Sequence, residues 1–465
     1  MKNKFTRWLK VNKLSLNIFE KCLLFAPILL WFSHQPVISF GTTNTLFLDI
    51  SLAEIYALIL ALLALPSILK HREVLLKHKS VWLVSAFVGF SIFSLLWTPS
   101  LLRGALTLGL IGILYLIFLG IMASSNIKKV LPALLKLTIL STLIMCAFAM
   151  LQFIAGIWLP SDITLLCGGC IADQFGFVRV TGLTVEPQYF GNMLLLPIFL
   201  LARQVTTRKA GWRAWTALLI IAFTLTLTLS RGAIFAFGAG VFVLLIVSIA
   251  QKVKLQKITG LVGVLVFGVV VAIFAQGLSA QINPSFSETF SSATAKSVHQ
   301  LSLGVIDLRA VPQSEPDSTV ELTDRPTNFD GYIEASTDYR LELSGQAVST
   351  WWQSPAVAVF GVGLGGAGQS MANHTGEISA LAIVQNEYLE ILLELGLAGF
   401  LLFVSIIVGL LHSTRRHKWL WAVLVAFLVQ WFFFSGYPNA LHVYLVLAMI
   451  FRYSSLKQAR QVSSR

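Results

Sequence analysis

The sequence predicts an all-α polytopic membrane protein with about twelve transmembrane helices. Three observations carry that prediction: apolar runs of membrane-spanning length, a shortage of charge, and basic residues that recur at every second connection. Of 465 residues, 56% are hydrophobic and 12% charged, with a mean hydropathy of +0.79, well outside the usage of soluble domains. A hydrocarbon core of roughly 30 Å needs about 20 apolar residues per helix. Such runs lie near 17–38, 47–69, 81–97, 104–122, 130–157, 186–202, 214–230, 232–250, 258–276, 379–411, 418–435 and 437–453. The first follows a basic stretch, as a signal peptide would, but it is long and lacks a small-residue cleavage site. It reads as a retained, uncleaved helix.

The formal net charge of +13 is explained by where the basic residues fall. Lys2, Lys4, Arg7, Lys10 and Lys13 precede the first run, and Lys70, Arg72, Lys77 and Lys79 follow the second. Lys128 and Lys129, then Arg203 to Arg213, Lys252 to Lys257, Arg415 to Lys418 and Arg452 to Arg465 continue the alternation. Twelve crossings put all these groups on one side, which the positive-inside rule makes cytoplasmic, with both termini inside. That distribution makes nucleic-acid binding an unnecessary explanation of the charge.

The outer connections are short except for 158–185 and 277–378. The chain therefore divides into spans one to nine (1–276), a large extracytoplasmic loop between spans nine and ten (277–378), and a last part (379–465) with a re-entrant or interfacial helix, spans ten to twelve and a cytoplasmic tail. The loop is acidic. Its middle, VPQSEPDSTVELTDRPTNFDG, is rich in turn formers and reads as irregular, whereas Ser336 to Trp352 reads as a helix. The run 379–411 would extend about 50 Å as one helix, which implies two pieces. Glu387, Glu390 and Glu394 share one helical face, with Leu389, Leu392, Leu393 and Leu397 opposite, so this segment is expected at the outer surface, with a solvated acidic face on an interfacial helix as its bland alternative. Gly396 and Gly399 allow a bend or close packing before Phe400.

Cys167 and Cys170 form CGGC in the shorter outer loop, a spacing open to a local disulfide or to free thiols. They have no Cys or His partners at ligand spacing, so no metal site is expected. Cys22 and Cys146 lie in apolar runs.

Arginines on the outer side are few, and an anion held at the membrane boundary needs them. Arg231, in LTLSRGAIFAF, sits between two spans with no loop to spare. Its bland alternative is snorkelling toward water. Beside Ser230 and Gly232 at a helix start, its guanidinium and the backbone N–H groups suit a phosphate or diphosphate. Arg179 enters span six in the company of Thr181, Gly182, Glu186 and Gln188; a rim salt bridge is its alternative. Arg340 lies on the expected loop helix ahead of Trp351 and Trp352, which fit an interfacial anchor or a sugar face. Gln385, Asn386 and Tyr388 open the acidic helix after the turn Gly361, Gly363, Gly365 and Gly366. That turn could admit a ligand close to the backbone, but it follows no βα unit, so a dinucleotide fingerprint is rejected.

RVTGLTVEPQYFGNML, TLSRGA, YRLELSGQAVSTWWQSP, FGVGLGG and QNEYLEILLELGLAGFLLF, in this order, resemble the O-antigen ligase and Wzy-type O-antigen polymerase superfamily over roughly residues 179–435. The resemblance implies a GT-C-like membrane glycosyltransferase that needs neither metal nor cofactor. It would move a glycan from an undecaprenyl-diphosphate-linked donor to a glycan or lipid acceptor, among membrane lipids and with no nucleic acid. It matches Arg231 and Arg340 to the arginines that hold the donor diphosphate in the family, and Arg179 less closely; with the residue reading above, the candidate catalytic residues are Arg231, Arg340, Gln385 and Glu387, and the candidate substrate contacts Arg179, Glu186, Ser230, Asn386 and Tyr388. Ligases of this kind carry His-Asn where this chain has Gln385-Asn386, and an amide cannot take up a proton at neutral pH as imidazole can. Glu387, Glu186, His374 and the leaving diphosphate are the remaining proton acceptors. The departure favours a polysaccharide polymerase in the bacterial cytoplasmic (inner) membrane, with its active site on the extracytoplasmic side and scope for a chain-length regulator. A ligase acting on a lipid or protein acceptor is the first alternative. A lipid-glycan transporter or flippase is the second, disfavoured by the scarcity of ionisable residues at mid-membrane. A structural or assembly subunit that binds through the acidic loop is the third.

Overall fold

The computed structural model describes residues 16–34, 37–43, 46–159, 161–165, 178–207, 210–282, 290–301, 329–376, 378–415, 417–435 and 440–462. The basic N-terminal stretch, Cys167, Cys170 and the middle of the acidic loop lie outside these residues. The elements run α1 (Ile18–Leu23), α2 (Ala26–Leu29), β1 (Val37–Thr43), β2 (Leu46–Ser51), α3 (Leu52–Lys70), α4 (Arg72–Leu76), α5 (Lys79–Ser94), α6 (Leu101–Ala123), α7 (Ile127–Gly156), α8 (Ser161–Thr164), α9 (Pro187–Thr207), α10 (Trp212–Leu227), α11 (Arg231–Ala250), α12 (Leu255–Ile282), α13 (Phe290–Leu301), α14 (Phe329–Trp351), α15 (Pro355–Phe360), α16 (Ala367–Thr375), α17 (Glu387–Thr414), α18 (Trp419–Gln430) and α19 (Leu441–Val462).

Seven of the described helices are long and apolar enough to cross a membrane: α3, α6, α7, α9, α11, α12 and α17. Four shorter apolar helices, Lys79–Ser94, Trp212–Leu227, Trp419–Gln430 and Leu441–Ser454, occupy other expected runs. The protein is an integral membrane protein, and its described residues are mostly helical. The first expected run departs from the prediction. It forms α1 and α2, interrupted at Leu24 and Phe25, and then leads into β1, which pairs antiparallel with β2. Pro27 supplies no amide hydrogen and crowds the carbonyl of Leu23, which accounts for the break. The helical turns over 18–31 extend only about 21 Å, less than a bilayer core.

The chain forms two compact units, one from residues 1–141 and 343–465, the other from 142–342, with boundaries inside α7 and α14. In the first unit α3, α6, α17 and α19 pack through Leu60, Ala64, Ile121, Met122, Phe403 and Leu410. One end is tied by polar contacts. Glu20 accepts the Ser124 hydroxyl at 2.6 Å and the Asn126 amide at 3.2 Å, and Arg452 donates to the Ser124 carbonyl at 2.8 Å.

In the second unit α9 is the central helix. Of its most apolar window 72% is buried, against 28–44% in the other six long helices, although its mean hydropathy of 1.2 is the lowest of the seven. A helix surrounded by protein need not be as apolar as one facing lipid, so its Gln188, Asn192 and Thr206 are accommodated inside. Two of the helices packed on it, α11 and α12, expose Phe242, Ile246, Phe267 and Val270, which suits contact with acyl chains. The helix expected over Ser336 to Trp352 is α14, which starts seven residues earlier.

Candidate functional site

In the second unit the second turn of α9 meets the first turn of α11. A Cβ on Gly191 would lie 2.5 Å from the Cβ of Ala233, so glycine sets the approach of these two helices. Ser230 caps α11 by accepting the Ala233 N–H at 3.4 Å, which makes Arg231 the first helical residue. Leu229 just before it has a φ of 47°, a left-handed conformation costing a non-glycine residue of order 1–3 kcal/mol. That turn converts the end of α10 directly into the start of α11. The Thr228 hydroxyl reinforces it by accepting the Ser230 N–H at 3.2 Å.

The irregular segment ahead of α9 runs alongside this junction. Val180 N–H donates to the Leu227 carbonyl at 3.4 Å, and Arg179 Nε donates to the Thr228 carbonyl at 3.2 Å. Arg340, from α14, donates through Nη2 to Gln188 Oε1 at 3.3 Å in the first turn of α9. Glu186 stands immediately before Pro187, the first residue of that helix. Burial pushes its carboxyl above the ordinary carboxylate range, while Arg340 and Arg179 pull it back. The outcome is a region where the starts of two helices lie close to Arg179, Arg231 and Arg340, with the Glu186 carboxyl near Arg179 and Arg340. Such a region attracts a multiply charged anion.

Two glutamines hold this segment, and the sequence reading passed over both. Gln276 of α12 donates to the Val178 carbonyl at 3.0 Å. Gln152 of α7 accepts the Gly182 N–H at 2.8 Å and donates to the Gly182 carbonyl at 2.9 Å. Their signal was available: single amides inside the apolar runs AMLQFIAG and AIFAQGLSA, where a polar side chain needs a reason.

Gln385, Asn386, Glu387 and Tyr388 lie in the first unit, at the start of α17. Gln385 has a φ of 56°. Asn386 is the helix cap, its Oδ1 accepting the N–H groups of Tyr388 at 3.1 Å and Leu389 at 3.2 Å. Glu387 accepts the Tyr444 hydroxyl at 2.6 Å and its own N–H donates to the Trp431 carbonyl at 2.9 Å. Tyr388 donates to the Leu428 carbonyl at 2.8 Å among the rings of Phe403, Trp431 and Phe432. His374 is exposed at the end of α16.

A solvated acidic face on this helix is not what the structure has. Glu387, Glu390 and Glu394 are 0%, 6% and 3% exposed. Each has partners that offset burial: Tyr444 for Glu387, the Ser435 hydroxyl for Glu390, and the Ala367 N–H at 3.5 Å for Glu394, with Arg103 near the last two. Arg103 itself donates to the carbonyls of Ala380 at 3.0 Å and Ala382 at 3.3 Å. It went unnoticed in the sequence because its partners are more than 270 residues away.

The glycine turn packs against protein where the sequence suggested room for a ligand. A Cβ on Gly363 would lie 2.6 Å from Thr98 Cα, and one on Gly365 would lie 2.5 Å from the Gly104 nitrogen. The expected bend in α17 occurs at Gly396, with φ 62° and ψ −171°. It frees the carbonyls of Leu393 and Glu394, which accept the N–H groups of Val362 and Gly363 at 2.9 Å each. FGVGLGG and LELGLAG are thus two halves of one packing motif.

A cleft of about 570 Å³ in the first unit is bordered by Phe93, Trp97, Gln353, Val357, Phe360 and Ser370. Trp351 turns away from solvent to donate to the Ala358 carbonyl at 3.0 Å, whereas Trp352 is 71% exposed. Among the described residues no three His, Cys, Asp or Glu side chains are grouped to hold a metal ion.

No curated protein matches the chain. Residues 216–404 match the family model described as O-antigen ligase; the matched stretch contains Ser230, Arg231, Arg340, the glycine turn and Gln385 to Tyr388, while Arg179 and Glu186 precede it. Over that stretch, which is less than half of its length, the chain is similar to the O-antigen ligase family, in keeping with the superfamily resemblance of its motifs.

Proposed function

We propose that this protein is a glycosyltransferase that joins undecaprenyl-diphosphate-linked glycans on the extracytoplasmic face of the bacterial cytoplasmic membrane, most directly as the polymerase of an O-antigen or exopolysaccharide. One observation carries the reading: Arg179 and Arg340 flank Glu186 at the first turn of α9, beside the α11 start led by Arg231. A lipid diphosphate is the leaving group such an arrangement suits. Attack of an acceptor hydroxyl on the anomeric carbon forms one glycosidic C–O bond and breaks the C–O bond to the diphosphate. Negative charge grows on the departing oxygens, where planar guanidinium groups and helix N–H dipoles stabilise it without reorganising.

The hydroxyl proton passes to the departing diphosphate in this scheme. Gln385 is an amide and orients rather than deprotonates. The carboxylate of Glu387 is engaged by Tyr444, which supports a structural part for it. Arg179 and Glu186, outside the matched family stretch, are assigned here to donor binding and to the spacing of the arginines.

The family description favours a ligase as the second reading. Both share the donor and the bond chemistry and differ in acceptor. The surface glycans of a strain lacking the protein, compared with one restored by the intact gene, separate them. Single repeat units on the lipid carrier are the polymerase outcome, and long chains stranded on the carrier are the ligase outcome. An unchanged glycan profile would remove the transferase reading and raise a lipid-glycan transporter instead.

A further inference from the structure

We propose that Gln152 is a positioning residue for the donor diphosphate, fixing the arm that carries Arg179; this rests on the reading of the second unit as the diphosphate site. Gln152 lies in the apolar helix α7 and is 2% exposed. A buried amide without partners costs roughly 1–3 kcal/mol, so its retention calls for a compensating set of bonds. The set is complete. Oε1 accepts the Gly182 N–H at 2.8 Å, and Nε2 is shared among the carbonyls of Gly182 at 2.9 Å, Thr164 at 3.1 Å and Leu165 at 3.3 Å.

The grip on Gly182 works from both sides. Gly182 has a φ of 60°, and a Cβ there would lie 2.9 Å from the ring of Phe190, so α9 closes off the face opposite Gln152. Three residues before Gly182 the guanidinium of Arg179 is bonded to Thr228; four residues after it stands Glu186. Between them the Thr184 hydroxyl donates to the Thr181 carbonyl at 2.8 Å and the Glu186 carbonyl at 3.2 Å. Buried irregular backbone survives only where protein satisfies its peptide groups. Gln152 does so at Gly182, which lies between the arginine and the carboxylate in the chain. Its bonds therefore pre-set the distance from Arg179 to the α9 N-terminus before any ligand arrives, and pre-organisation of this kind is realised as affinity.

The test uses purified full-length protein and farnesyl diphosphate as the probe, with binding measured by calorimetry. Gln152→Met keeps the volume and removes every hydrogen bond. The expected result is a Kd about tenfold higher, as when the support of a binding group is removed, together with a lower thermal midpoint, because the Gly182 N–H loses its partner in the variant. Arg179→Ala weakens binding by itself, and Gln152→Met added to it causes no further loss, because the glutamine acts through the arginine. Additive losses, or wild-type affinity in Gln152→Met while Arg340→Lys binds poorly, would overturn the positioning role and leave the diphosphate site standing. Wild-type affinity in Arg179→Ala, Arg231→Lys and Arg340→Lys alike would overturn the site itself. If Gln152→Met does not fold, Gln152→Asn, which keeps the amide but draws it back by one methylene, is read in the same way.

Discussion

Arg340 donates from Nη2 to Oε1 of Gln188 at 3.3 Å, joining residues 152 apart in the chain. The bond draws the planar, multi-donor guanidinium to the first turn of α9. Arg340→Lys and Arg231→Lys keep the charge but lose that planar set of donors. Each is expected to lower glycan transfer about a hundredfold, the scale of removing one preorganised donor from a developing anion. Polymer of near-normal length and yield in either variant would contradict the assignment.

Glu186 gives a pH signature. Burial is the larger influence on its carboxyl and raises it, with Arg340 and Arg179 opposing. The folded pKa therefore lies above the unfolded one. The folded state holds more protons between the two, so this group costs no stability below the unfolded value and its full penalty above the folded value. Stability from this group falls as pH rises past the ordinary carboxylate value of 4.5. Glu186→Gln removes that slope. The melting temperature of the variant relative to the wild type is expected to climb as pH rises through this window, and a difference that stays flat would reject the shifted carboxyl.

Gly363 and Gly396 lie in the interlock between the glycine turn and α17. With φ of 94° at Gly363 and 62° with ψ −171° at Gly396, both adopt backbone that side chains avoid, at a cost of about 1–3 kcal/mol before any clash. A Cβ at Gly396 would also lie 2.4 Å from the Gly361 nitrogen. Alanine at either position is expected to lower the melting temperature and the yield of folded protein. Unchanged stability in both would refute the packing role of the motif.

Asn386 tests whether the start of α17 is structural. Its Oδ1 caps two N–H groups, so Asn386→Ala should cost about 1 kcal/mol of stability whereas Asn386→Asp should not, since a carboxylate caps equally well and suits the helix dipole. Transfer activity of Asn386→Asp carries the second answer. Activity near the wild type means that capping is the function of this side chain. Its loss in a stable protein means that the amide N–H₂ contacts substrate.

Much of the fold was legible in the residues because its causes are local. The apolar runs behind α3, α6, α7, α9, α11, α12 and α17 state their own lengths. The bend at Gly396 and the helix over Ser336 to Trp352 follow from composition within a few residues. Arg179, Arg231 and Arg340 stood out because charge is rare in this chain. The first run misled because its hydropathy gave no weight to Pro27.

What only the tertiary structure decided has partners far away in the chain. Glu387, Glu390 and Glu394 have the spacing of a solvated stripe, and they are buried because Tyr444, Ser435, Ala367 and Arg103 meet them there. The glycine turn looked open until Thr98 and Gly104 filled it. Gln152 and Gln276 became visible as supports only when the backbone they hold had a place. Hydropathy acts residue by residue and can be summed along a sequence, whereas burying a charge or a peptide group is favourable only when another segment supplies its partner, and folding alone decides which segment that is.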